Sequence, residues 1–266
     1  MGQSSGRRDA STTPTGQHFA EHARRIVAET RELVLGAGAA QELRGPVKLG
    51  CYASFATNVI PELLEGFPKL HPGVQLEIEL GTNEELLAAL EAGRLDVALV
   101  FDVSLPTGYR RRRIYPTELE VHLHPDHPLA ASSTLGLAEL ADEPCILYDA
   151  SPGIRNVTDA FAERGIEPRI EARVTQISLV EALVGRGLGY GLLMSRPNSL
   201  AMSTEGRPVV VRPLDPPITR SHVVSIWPAD MQLTPRAAAL LEFAIERFGS
   251  DTDDAAGRSA RRIQGA

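Results

Sequence analysis

From Val47 onward the apolar positions switch between two periods. Val47–Cys51 reads as a strand, and Phe55–Leu70 reads as a helix with Pro61 as a bend point. Val74–Leu80 alternates at every second residue, Glu84–Ala92 returns to helical spacing, and Leu95–Phe101 is an almost wholly apolar run. A strand of that kind is buried on both faces, as in a parallel sheet, so the segment forms one βαβαβ unit. A second unit follows: strand Pro144–Tyr148, helix Pro152–Arg164 closed by Gly165, strand Arg169–Val174, helix Ile177–Gly185 and strand Tyr190–Met194. Between them Tyr109–His124 is extended and long enough to link the units. Val209–Pro213 and His222–Trp227 read as strands returning to the first unit, and Pro235–Phe248 as a C-terminal helix. The expected fold class is therefore α/β, with two lobes and a cleft. Lobe I takes residues 45–122 and 208–248, and lobe II takes 123–207.

The flanks differ from this body. Residues 1–16 are rich in Gly, Ser and Thr and read as a disordered leader, as does the polar tail over 249–266. Within 17–44, Gln17–Leu35 places Phe19, Ala23, Ile26, Val27 and Val34 on one helical stripe, with Arg24, Arg25 and Arg31 elsewhere. Such a helix either packs on its own domain or pairs with a second chain. Gly36 and Gly38 end it, and a short hinge leads to the first strand.

Composition narrows the function classes. The 266 residues carry a net charge of −7, which argues against contact with nucleic acid by the bulk of the chain. Two cysteines, Cys51 and Cys145, make a disulfide framework improbable and fit a reducing, cytoplasmic location. The N-terminus has no apolar core of a signal peptide, and no run approaches the roughly 18 apolar residues of a membrane span.

In open α/β sheets ligands sit at the carboxyl ends of the strands. Four strand-to-helix junctions fall there: Tyr52-Ala53-Ser54-Phe55, Gly81-Thr82-Asn83-Glu84-Glu85, Asp149-Ala150-Ser151-Pro152-Gly153 and Thr175-Gln176-Ile177-Ser178. Thr82 and Glu85 have capping-box spacing, and Ser151 with Pro152 makes a good N-cap and first helical residue. Each junction alone is an ordinary cap. Four converging on one crevice supply free N–H groups and partial positive charge, which favour a small polar ligand, above all an anion such as a carboxylate. The expected contact set is Ser54, Phe55, Thr82, Asn83, Phe101, Ser151, Pro152, Gly153, Ile154, Thr175 and Gln176, with no catalytic residue, no metal and no cofactor.

Other motifs carry less. The glycines of Gly185-Arg186-Gly187-Leu188-Gly189-Tyr190-Gly191 join a helix to a strand, the reverse of a phosphate loop, and read as a helix end and tight turn. His122, His124 and His127 lack a completing ligand cluster for zinc. The run Arg110–Arg113 reads as a solvated strand edge. Cys51 is a small buried hydrophobe. An enzyme on this scaffold would need an acid–base pair in the cleft, for which Glu84, Glu85, Asp102 and Asp149 are placed by location alone.

Several segments together resemble one family. They are Gly45-Pro46-Val47-Lys48-Leu49-Gly50, Ile60–Phe67 running into Pro68-Lys69-Leu70-His71-Pro72-Gly73-Val74, and Ala92-Gly93-Arg94-Leu95-Asp96-Val97-Ala98-Leu99. His127-Pro128-Leu129-Ala130 and Leu183–Gly191 add to the set. In order and spacing, from Gln17 to Phe248, they resemble the effector-binding domain of LysR-type transcriptional regulators. The resemblance implies a periplasmic-binding-protein-like fold of type 2, a small-molecule effector in the cleft and a homodimer or tetramer. It also implies that Gln17–Leu35 is the linker helix that pairs with a second subunit. By the family pattern Ser54 and Thr82 face the pocket from lobe I, and Pro152, Gly153, Ile154 and Gln176 from lobe II. The family's winged helix-turn-helix precedes the linker helix, and Thr13-Pro14-Thr15-Gly16 resembles only its last residues; DNA is expected to be read only through such an element, which these 16 residues are too short to hold. A solute-binding protein of a transporter and a lyase or dehydratase on the same fold are the alternatives.

Overall fold

The computed structural model describes residues 43–151 and 153–249; the expected leader, the Gln17–Leu35 helix, Pro152 and the tail beyond 249 lie outside the described residues. In the first lobe, β1 (Gly45–Tyr52), α1 (Ala53–Leu70), β2 (Val74–Gly81), α2 (Asn83–Glu91) and β3 (Val97–Phe101) follow the predicted alternation. β1 is central: it pairs in parallel with β2 from Gly45↔Val74 to Tyr52↔Gly81, and with β3 from Leu49↔Val97 to Cys51↔Leu99. β3 is buried at all five positions, as its unbroken apolar run requires. Helix α1 continues through Pro61 and Pro68 and turns Phe55, Val59, Leu63 and Phe67 inward at helical spacing. The C-terminal helix α5 (Pro235–Gly249) packs beside it, with the rings of Phe67 and Phe243 5.8 Å apart.

The second lobe repeats the plan with β5 (Cys145–Tyr148), α3 (Gly153–Ala162), β6 (Ile170–Val174), α4 (Ile177–Gly185) and β7 (Tyr190–Met194). β5 lies between β6 and β7, parallel to both. Close backbone approach fixes the turn between α4 and β7: a Cβ on Gly189 would sit 2.3 Å from the carbonyl oxygen of Pro144. This agrees with the reading of the glycine run as structural.

Two long strands join the lobes. β4 (Tyr109–Leu123) runs antiparallel to β9 (Thr219–Pro228) from Tyr109 to Glu118 and then changes partner. From Leu119 to His122 it pairs with β7, and from Glu120 to Leu123 with β8 (Val210–Pro213) on its other side. Register shifts between Arg113 and Tyr115 and between Thr117 and Glu118 mark the crossing. Here the structure corrects the sequence reading, which returns 208–248 whole to the first lobe. β8 completes the second-lobe sheet, and β9 alone carries the chain back, pairing with β3 from Ala98↔Ile226 to Phe101↔Val223. Strand character is local, whereas the choice of partner is set by a ladder about ninety residues away in sequence, which periodicity does not encode. The sheet order is β2-β1-β3-β9-β4-β7-β5-β6, with β8 on β4.

The Arg110–Arg113 run lies on the half of β4 that has β9 on one side and no strand partner on the other among the described residues. Arg111 pairs with Asp102 at 2.8 Å and Arg112 with Glu242, while Arg110 donates to the Ala229 carbonyl. Charge on an unpaired edge blocks edge-to-edge association.

Candidate functional site

The carboxyl ends of β1, β3, β5 and β7 meet the first turns of α1, α3 and α4 between the lobes and line a narrow cleft, part of it open to solvent. Lobe I contributes Tyr52, Ser54 and Phe101. Lobe II contributes Tyr148 from β5, Gly153 and Val157 from α3, Ile177 from α4, and Leu192, Leu193, Met194 and Arg196 from β7 and the residues after it. The walls are thus aromatic and aliphatic, with few polar groups. That is the usual make-up of a small-molecule site. The aromatic wall is built from edge-on contacts: Tyr52 meets Phe101 with centroids 5.3 Å apart, and Phe101 meets Phe55 at 5.2 Å.

Of the eleven residues expected from sequence, Ser54, Phe101 and Gly153 line the cleft. Pro152 lies outside the described residues. Phe55 is fully buried in the lobe I core behind Phe101 and Tyr52, because it faces down from the first turn of α1 and not across the cleft. Ile154 likewise packs against the core. Thr82 is committed to its own helix. Its hydroxyl accepts from the Glu85 N–H while the Glu85 carboxylate accepts from the Thr82 N–H, a closed capping box that leaves the end of α2 self-satisfied. Asn83 Nδ2 donates to the Phe101 carbonyl at 3.3 Å. Gln176 caps α4 without a side-chain hydrogen bond, and it is the next residue, Ile177, that reaches the cleft; neither Gln176 nor Thr175 is among its lining residues. The Ser151 carbonyl meets the cleft from lobe II by accepting the Tyr52 hydroxyl at 2.5 Å, a hydrogen bond that spans the two lobes. A second cross-lobe bond runs from Asn198 Nδ2 to Glu62 Oε1 at 3.3 Å. Three helix starts converge rather than four. Those of α1 and α4 carry no side-chain cap, so their N–H groups are available to a ligand.

Sequence reasoning missed the charged floor of the cleft. Arg196 follows β7 by two residues, and its side chain is only 7% exposed. Nη2 donates to Glu181 Oε1 on α4 at 2.7 Å, while Nε is buried without a hydrogen-bond partner. The neighbouring residue holds it in place: the Ser195 N–H donates to the Glu118 carbonyl at 2.7 Å, and Ser195 Oγ accepts from the Glu118 N–H at 3.0 Å. Glu120, on β4 opposite Leu193, lies within the field of this cation without a direct ion pair to it among the described residues. Burial pushes its carboxyl up to about 7, opposed by Arg196 and reinforced by Glu118. His122, two residues on and on the same strand face, is pushed down to about 3 by burial and then by Arg196, and is neutral. Burial raises the hydroxyls of Tyr52 and Tyr148 above their ordinary range, and the two hydroxyls interact. Arg196 was legible in principle. The strand-end rule, applied to the apolar Tyr190–Met194, leads to Ser195 and Arg196 as the first polar groups beyond it.

The remaining chemistry is engaged elsewhere. Cys51 and Cys145 are buried, and burial pushes both thiols up, Cys145 to about 11, so neither is a thiolate at neutral pH. Glu85 is in its capping box, Asp102 pairs with Arg111, and Asp149 with Arg173 at 3.5 Å. His127 Nδ1 accepts from the Leu129 N–H. Among the described residues no three His, Cys, Asp or Glu side chains converge as metal ligands, and no helix is long and apolar enough to cross a membrane.

Comparison with known proteins bears on this arrangement. The transcriptional dual regulator GltC of Bacillus subtilis is 29% identical over 209 residues, covering 77% of this chain and 68% of GltC. The BenM regulator of Acinetobacter baylyi is 26% identical over 204 residues, covering 74% of this chain. The chain spans about 59–68% of the length of the curated relatives it matches first. Among solved structures, the C-terminal domain of a probable LysR family regulator from Rhodococcus sp. RHA1 superposes with a TM-score of 0.71 at 34% identity, covering 76% of this chain and 99% of that one. The profile of the LysR substrate binding domain matches residues 40–249, and the chain belongs to that family.

Proposed function

We propose that this chain is the effector-sensing module of a cytoplasmic LysR-type transcriptional regulator. It binds a small molecule between its lobes and transmits the change in lobe geometry through β4 and β9 to a homo-oligomer paired through Gln17–Leu35. The ligand is a small carboxylate or other anion. The observation that carries this reading is Arg196: its buried guanidinium lines a mostly apolar cleft, and although one end is paired with Glu181, Nε has no hydrogen-bond partner. A buried polar group without a partner costs about 1–3 kcal/mol, more when charged, so an anion placed there removes a penalty. The uncapped starts of α1 and α4 add partial positive charge from both lobes. An effector-binding domain with this fold, that of QuiR, has been solved with shikimate, itself a carboxylate.

The test is thermal unfolding across small carboxylates, amino acids, aromatic acids and neutral analogues. A ligand that binds only the folded state at a hundredfold excess over its Kd stabilises by about 2.7 kcal/mol. That raises Tm by several degrees in a chain of this size, at about 2–4 °C per kcal/mol. A saturable shift without turnover supports a sensor. Turnover of the bound compound would make the chain an enzyme, and no shift with any compound refutes the reading.

A further inference from the structure

The cleft holds one buried cation for two carboxylates. Arg196 is bonded to Glu181 at 2.7 Å, with the two side chains 7% and 15% exposed, and Glu120 draws on the same charge from β4. With both carboxylates ionised the cluster carries a net −1. A ligand carboxylate arriving at Arg196 would bring it to −2 in a site walled by Tyr148, Ile177, Leu192, Leu193 and Met194. Like charges in a poorly solvated site do not all stay ionised; the one least well held takes a proton. Glu181 has a direct ion pair, whereas among the described residues no hydrogen bond anchors the side chain of Glu120; the Thr219 hydroxyl nearby donates to Glu118 instead, at 3.2 Å.

Resting on the reading of the cleft as an effector site, we propose that Arg196 receives the effector's carboxylate and that Glu120 takes up one proton when it arrives, so that the domain selects a monoanion with an apolar body and binds it in a proton-coupled manner. Several charged and titratable groups surround this end of β4 among the described residues. On β4 they are Glu118, which adds negative charge, and His122, which stays neutral. Beyond β7 is Arg196, and on α4 Glu181. On β5 Tyr148 is protonated, since burial raises it. On β8 Arg212 stands opposite Val121 on β4, and its guanidinium is spent on the carbonyls of Ser132 and Ala130. Of the three carboxylates, Glu181 is held in its ion pair with Arg196 and Glu118 is exposed to water, which leaves Glu120.

The experiment uses the full chain and a panel of aromatic and alicyclic monocarboxylates, benzoate first among them, each paired with its primary amide. Binding is measured at pH 6 and pH 8, where the acids themselves are fully ionised. At least one acid is expected to bind about tenfold more weakly at pH 8 than at pH 6, the change that follows from uptake of one proton by a group titrating near 7. Calorimetry of the wild type near pH 7.5, in buffers of different ionisation enthalpy, should register uptake of most of one proton. Glu120→Gln should flatten the pH dependence at the tighter affinity. Arg196→Gln should abolish acid binding, with partial recovery in Arg196→Lys. Acid binding that is equal at both pH values, or without proton uptake, overturns the proposal, and so does an amide that binds as well as its acid. Since calorimetry uses the wild type, misfolding of a variant does not rescue the idea. Stabilisation by neutral compounds alone also overturns it while leaving the sensor reading intact, whereas no stabilisation by any class of compound defeats both.

Discussion

Replacing Glu120 by Gln tests the electrostatics of the cleft floor without any ligand. Glutamine keeps the shape of the side chain and removes only its ability to ionise. The Glu120 carboxyl is raised from 4.5 to about 7 by burial, with Arg196 opposing and Glu118 reinforcing. The unfolded chain therefore loses this proton near pH 4.5, while the folded chain keeps it until about 7. Across that window the folded state binds more protons, so the contribution of Glu120 to stability falls as pH rises, and the loss is complete above about 8. A shift of that size corresponds to about 3 kcal/mol, at about 1.36 kcal/mol per unit. Because Glu120 is not sealed from water, about 2–3 kcal/mol is the working value. Glu120→Gln should match the wild type near pH 5 and exceed it by that amount at pH 8. With a denaturant slope of about 2–3 kcal/mol/M this moves the urea midpoint by about 1 M. His122, held neutral by burial, loses the folded state stability as pH falls below its unfolded value, but it is common to both proteins and cancels in the difference. A wild-type minus variant difference that stays flat from pH 5 to pH 8 would show that Glu120 titrates as an ordinary surface carboxyl, and the account of the floor would be wrong.

Three further outcomes follow from the packing. Tyr52→Phe removes the hydroxyl that spans the cleft to the Ser151 carbonyl and should cost about 1 kcal/mol in urea unfolding, with a larger radius of gyration by X-ray scattering; an unchanged radius and stability would mean the bond does not hold the lobes together. Gly189→Ala drives a methyl group to within 2.3 Å of the Pro144 carbonyl oxygen, backbone against backbone, and should cost more than about 2 kcal/mol; near-native stability would show that the turn has room to move. By contrast, a double-mutant cycle on Arg112 and Glu242, an exposed pair with 43% and 61% of their side-chain surfaces open to water, should give a coupling energy below about 1 kcal/mol, and a larger value would mean the charged edge of β4 is a structural element.

The elements were legible because they are local. The unbroken apolar run of β3 and the i, i+4, i+8, i+12 stripe of Phe55, Val59, Leu63 and Phe67 each fix an element and the face it buries. Thr82 shows where such reasoning stops. Its spacing to Glu85 correctly predicts a capping box, but the closed box is what withdraws both side chains from ligand duty, so a cap is evidence for a helix start and not for a site. Ser54 and Gly153 reach the cleft because the ends of α1 and α3 are aimed across it, a matter of lobe orientation that only the β4–β9 crossing determines. Phe55, one residue beyond Ser54, turns about 100° around the same helix and is lost to the core, so a junction read as a block overstates what it presents.

The residues hardest to read were Arg196 and its partners, and the reason is physical. Glu118, Glu120, His122, Glu181 and Arg196 come from three elements, and in sequence each looks like a solvated charge. Only when β4 pairs with β7 does Leu119 fall opposite Met194 and Glu120 opposite Leu193. The Glu118 backbone then holds Ser195 by both its N–H and its carbonyl, which fixes the residue next to Arg196. That anchor coincides with the register shift between Thr117 and Glu118, where β4 leaves β9 and enters the second lobe. A group bonded to Arg196 is therefore one residue from the anchor at which β4 passes between the lobes. Tyr52 ties the far side of the same cleft to Ser151. On the sensor reading proposed above, ligand charge at Arg196 and ligand bulk against Tyr52 would bear on lobe geometry from opposite walls. If the lobes move, a ligand touching both walls would gain contacts that depend on their spacing, and only such differential contacts can shift a conformational equilibrium.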